Sequence, residues 1–139
     1  MGYQKVLFIA SGDDNADGAA LARLCRALME ASEKIYLLYI DEHHVTGFGT
    51  MTASHHIAND MQIKQEIFPR LKRICDSLCI PTDHIAIRFG NRARVIEQFV
   101  QERGVEMLAI SCLLASDTRL MKRFSPLLEA CQCDLHVMP

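Results

Sequence analysis

Two unbroken apolar runs, Val6 to Ala10 and Ile35 to Ile40, dominate the first third of the chain. Both are short, rich in branched or aromatic residues and free of polar alternation, which predicts strands covered on both faces. Between them Leu21, Leu24, Cys25 and Leu28 recur at helical spacing, with Asp14, Asn15 and Asp17 offering caps at the helix start. From His43 to Asn59 the pattern has no period and contains Gly47, Gly49 and four histidines, so a long loop is expected. A helix follows through Ile63, Ile67, Leu71, Ile74, Cys75 and Leu78, kinked or restarted at Pro69 and ended before Pro81. Ile85 to Phe89 reads as a third strand, and the turn "GNRAR" leads to a helix with Val95, Ile96, Phe99 and Val100 on one face, closed by Gly104. Met107 to Ser111 is the fourth strand. From about Ser116 a last helix carries Leu120, Met121, Phe124, Leu127, Leu128 and Cys131, kinked at Pro126, before a fifth strand over Asp134 to Met138.

Strands alternating with helices predict an α/β fold, a five-stranded parallel sheet with helices on both faces, because right-handed crossovers place them there. Ligands on such sheets bind beyond the carboxyl ends of the strands, here beside Ser11, Asp41 and Ser111. With 139 residues, half of them apolar, a single domain over 1–139 can bury its own core. The formal charge of −2, from 15 basic and 17 acidic side chains, steers the chain toward neither nucleic acid nor an anionic membrane. No apolar run approaches the roughly 18 to 20 residues of a bilayer span, and "MGYQKVLF" lacks the regions of a signal peptide, so a cytoplasmic location is expected. The six cysteines fall mostly on apolar faces, including Cys75 and Cys79 on the face of Leu71 and Leu78, and are expected to be reduced core thiols.

The order "KVLFIAS", helix, "IYLLYIDE", loop, helix, "IAIRFGNRARVIEQFVQERGVEMLAIS", helix, "CDLHVMP" resembles the universal stress protein family over essentially the whole chain, and the UspA-like subclass most. The glycine-led turn at Gly90, the "VEMLAIS" strand and the final "VMP" carry the likeness. The resemblance implies a Rossmann-like sheet of order 3-2-1-4-5, and a homodimer paired through the last strand. An exposed terminal edge bearing only Asp134 as a nearby charge points to the same pairing, with Leu135 and Val137 facing one side and His136 and Met138 the other.

The family's nucleotide-binding branch carries G-x2-G-x9-G-[ST] after the fourth strand, where small residues let backbone amides wrap a triphosphate. In this chain those positions read Ser111, Leu114, Phe124 and Ser125, and all three glycines are absent. Ser11 stands where the family has an acidic residue at the end of strand one; Asp13 or Asp14 offers a substitute, though capping the helix is their ordinary role. Asp41 matches the family's "VD" ending, and backbone near Ile40 corresponds to the part facing adenine. Ser11, Asp13, Ile40, Asp41, Gly90, Arg92, Ser111 and Ser125 are therefore the candidate residues of a vestigial nucleotide site.

Arg92 and Arg94 oppose the dipole in a first helical turn, and are expected either to meet an anion or to stand solvated beside Glu97 or Glu66. The histidines at 43, 44, 55, 56 and 84 match no tight ligand spacing, so no metal is expected. "SGDDNADG" lacks the second glycine and the Asp-Ser pair of the pyrophosphate loop of ATP pyrophosphatases, and no nucleophile elbow, Walker loop or H-E-x-x-H helix occurs. The expectation is a non-enzymatic, UspA-like stress-response homodimer that acts through unidentified protein partners, with no cofactor and no tight ATP binding. The alternative is an ATP or AMP sensor that keeps an adenine pocket.

Overall fold

The computed structural model describes residues 4–28, 32–42, 53–131 and 133–138, with 32, 53–60, 112, 113 and 131 described by backbone alone. Its strands are β1 (Val6–Ile9), β2 (Ile35–Asp41), β3 (Ile85–Phe89), β4 (Met107–Ser111) and β5 (Asp134–Met138). They form one parallel sheet of order β3-β2-β1-β4-β5, the order expected. Val6 lies opposite Ile35 on one side and Met107 on the other, which makes β1 the centre.

Because side chains alternate across a strand, the central strands feed two separate apolar layers. Val6, Phe8, Ile35, Leu37, Met107 and Ala109 face one layer with Leu21 and Leu24 of α1 (Asp14–Ala27) and Leu71 and Cys75 of α2 (Ala53–Ser77). Leu7, Ile9, Leu38, Ile40, Leu108 and Ile110 face the other with Ile96 and Phe99 of α3 (Arg92–Arg103). Leu114 of the short α4 (Cys112–Ala115) and Leu120, Phe124 and Leu127 of α5 (Thr118–Cys131) complete it. The expected strand faces hold at the edge too, where Leu135 packs on the second layer and Met138 enters the first.

Three boundaries depart from expectation. The loop expected through Asn59 is helical from Ala53, since no glycine or proline interrupts the chain from there to Pro69 and extending a formed helix costs little per residue; residues 43–52 lie outside the described ones. Helices α2 and α5 hold Pro69 and Pro126 within them, each on the exposed side, and α2 does not restart at Pro69. The last helix starts at Thr118 rather than about Ser116, because the Asp117 carboxylate caps it by accepting from the amides of Arg119 at 3.1 Å and Leu120 at 3.2 Å.

Cys79 is the third departure. Three described thiols, Cys25, Cys75 and Cys133, are buried as expected, and burial pushes Cys75 up to about 12; Cys79 is exposed. It lies beyond α2 at φ 59°, with the Ile80 amide donating back to Cys75 O at 2.9 Å and its own amide to Asp76 O at 3.3 Å. This is the left-handed helix stop that glycine ordinarily fills, as Gly104 does after α3 at φ 64°. Cys79→Gly is expected to stabilise the chain by about 1 kcal/mol, since a Cβ is disfavoured there, and the midpoint of urea unfolding checks it.

Candidate functional site

The sheet's winding reverses between β1 and β4. The chain leaves β1 for α1 on one face and leaves β4 for α4 and α5 on the other, so a crevice opens between Ser11 and Ser111. Backbone amides after β1, at the start of α3 and after β4 each have a partner within the chain.

At the end of β1, Asp17 of α1 turns its carboxylate back under the loop. It accepts from the Ser11 amide at 2.9 and 3.1 Å, from Ser11 Oγ at 2.7 Å and from the Gly12 amide at 3.2 Å. Asp17 is 1% exposed, and burial raises its pKa above the ordinary 3.8 despite those donors. Asp13 caps α1 through the amides of Asn15 and Ala16, its ordinary role. Arg70 of α2 donates to Asp14 Oδ2 at 2.9 Å and to Gly12 O at 3.4 Å, tying the loop to the second helix.

At the end of β2, Ile40 and Asp41 are both buried, Ile40 in the α3 and α5 layer. Tyr39 points the other way, beside Gly12, and its hydroxyl is held protonated to higher pH by burial and then by the Asp41 charge. Gly90, at φ 133°, donates its amide to Asp41 O at 3.1 Å. Glu42 accepts the Arg92 amide at 2.7 Å, and Asn91 caps the same helix by accepting the Arg94 amide at 3.2 Å. A carboxylate of the chain itself, from Glu42, thus meets the first turn of α3 at the Arg92 amide.

At the end of β4, the Leu114 amide donates to Ser111 Oγ at 3.4 Å. Ser111, Leu114 and Phe124 are all buried, Phe124 to 1% exposure. Ser125 is exposed in the middle of α5, seven residues past its first residue, where an α-helix uses each amide for its own ladder. The fold brings Ser11 and Ser111 to one crevice, aligns Ile40, Asp41, Gly90 and Arg92 beside it, and leaves Asp13 as a cap and Ser125 on a helix flank. A pocket of about 330 Å³ lies between the starts of α3 and α5, and its lining includes Glu42, Asp117, Arg119 and Arg123.

Sequence reading offered Asp17 only as a cap of α1 and did not name Glu42; the structure makes Asp17 the acceptor for the Ser11 and Gly12 amides and Glu42 the acceptor for the Arg92 amide. Asp17 carried a signal, since it sits four residues before Leu21 and continues the apolar stripe of α1 with a carboxylate. Glu42 carried none. Among the described residues no group of three His, Cys, Asp or Glu side chains could hold a metal ion. His84 stacks on Tyr36 at 4.1 Å with Nδ1 3.0 Å from Ile35 O, while His43 and His44 lie outside the described residues and nothing is described of the His55 and His56 side chains. Among the described residues no helix is long and apolar enough to cross a membrane.

No protein-family model matches the sequence, and no curated protein does. Solved structures do match. UspA from Lactobacillus plantarum aligns over 100% of both chains at 11% identity with a TM-score of 0.65. A protein of the universal stress protein family from Burkholderia pseudomallei covers 99% of this chain and 96% of its own at 13% identity, with a TM-score of 0.61. At such identities the likeness is one of fold, and the fold is that of universal stress proteins.

Proposed function

From the universal stress protein fold, we propose that this chain is a UspA-like stress-response protein that acts through protein contacts and has no use for ATP. The observation that supports the reading most is the closed ground after β4. Buried Leu114 and Phe124 stand where a triphosphate needs bare backbone, and helix α5 takes up the amides at the position of Ser125. Asp17 already holds the amides of Ser11 and Gly12, and Glu42 that of Arg92, so a phosphate arriving at either place would have to displace a carboxylate of the chain. The same reading makes the chain a homodimer through β5, an edge strand whose Val137 is 43% exposed.

The test is calorimetric titration of the chain with Mg-ATP, alongside mass spectrometry of the undenatured protein. No binding tighter than about 1 mM is expected, and no co-purifying nucleotide. A one-to-one complex of micromolar affinity would replace this reading with the ATP or AMP sensor. Light scattering after size exclusion is expected to give twice the chain mass.

A further inference from the structure

Opposite β5, the sheet ends on β3, and no described strand pairs with its outer edge. A groove of about 600 Å³ runs along that edge, between β3 and α2. Its floor is apolar, from Phe68, Pro69, Ile85 and Ile87, and its charged lining residues are both cations, Lys64 and Arg88.

Backbone direction fixes what such a groove can take. The Gly90 amide donates to Asp41 O on β2, so by the two-residue strand period the polar groups of Arg88 and Ala86 also face β2, and those of Ile87 face outward. The outward Ile87 carbonyl is covered by the guanidinium of Arg88 itself, which donates from Nη1 at 3.2 Å. Side chains alternate as well: Ile85, Ile87 and Phe89 pack on the α2 layer, while Ala86 belongs to the opposite one.

We infer that the β3 edge docks an extended acidic segment of a partner protein, added to the sheet as a sixth strand with apolar residues toward α2 and carboxylates toward Arg88. A carboxylate draws the Arg88 guanidinium off Ile87 O and frees that carbonyl for a backbone donor, so the charge both attracts the segment and opens its register. The same cations reject a second copy of β3, which brings its own Arg88 and Lys64, so the edge resists self-pairing and selects an acidic strand. The inference rests on the chain's acting by protein contacts and names the chemistry of one such contact.

The probe is a fluorescein-labelled hexapeptide alternating valine and glutamate, titrated into the full chain and followed by anisotropy. Saturable binding tighter than about 1 mM is expected, with amide shifts in a nitrogen-15 spectrum at β3 and at residues 64–69. Arg88→Glu, an exposed position, is expected to weaken binding at least tenfold without changing the melting temperature. The same peptide N-methylated at alternate residues, unable to donate to the edge, is expected not to bind. Absent binding, equal binding of the N-methylated peptide, indifference to Arg88→Glu or shifts on β5 would each overturn the inference. None of these outcomes touches the ATP titration, so failure here and failure of the wider functional reading are distinguishable.

Discussion

Phe124→Ala is expected to lower the unfolding free energy by about 3–5 kcal/mol, the usual cost of deleting a buried aromatic and leaving a cavity. Phe124 is 1% exposed and packs with Leu114, Leu120 and Leu127 in the layer between the sheet and α5. Its neighbour Ser125 is exposed on the same helix, so Ser125→Ala should stay within about 0.5 kcal/mol of the parent. Guanidinium unfolding checks both, the midpoint moving for the first variant alone and the slope for neither. The contrast bears on the proposed function, in which the resemblance aligns these two positions with the last glycine and the phosphate-binding hydroxyl of the nucleotide-binding branch. A Phe124→Ala protein as stable as its parent would mean that the ring is not core, and the account of the closed cradle would fail with it.

The second large effect belongs to Asp17. Asp17→Ala removes the acceptor for the amides of Ser11 and Gly12 and for Ser11 Oγ, and is expected to cost about 2–3 kcal/mol, within the range for stranding partly buried donors of a charged bond. Asp17→Asn isolates the charge. The folded-state pKa of Asp17 lies above its ordinary 3.8, so the folded chain holds this proton more tightly than the unfolded one. Stability from that proton is complete below the unfolded value and is lost as pH rises through the higher folded value. Wild type is therefore expected to lose stability relative to Asp17→Asn as pH rises from about 4, in paired unfolding curves across the acid range. A difference that grows in the other direction would show the loop amides outweighing burial, and with it a carboxylate held for its charge.

The strands and their faces were legible because burial on two sides writes itself as continuous apolar runs, and a helix packed on a sheet writes a stripe every third or fourth residue. Val6 to Ala10 and Ile35 to Ile40 needed no further information to be read as central strands. Element ends were less legible. Whether the chain is helical at Ala53, or leaves the helix at Cys79 with φ 59°, turns on single backbone conformations that neighbouring side chains only bias. Cys79 shows the cost of reading a period past its end, since the spacing that buries Cys75 does not extend to a residue already outside the helix.

What the sequence determined by itself was the doubly wound sheet, its strand order through a resemblance, and the absence of glycine at 111, 114 and 124. Those follow from local composition and period, which act along the chain. The tertiary structure alone decided that the remaining amide clusters are occupied. Asp17 reaches back six residues to Ser11, and Glu42 reaches across fifty to Arg92. A carboxylate finds its donor by geometry, and a contact between a strand end and a distant helix start leaves no period for a sequence to display.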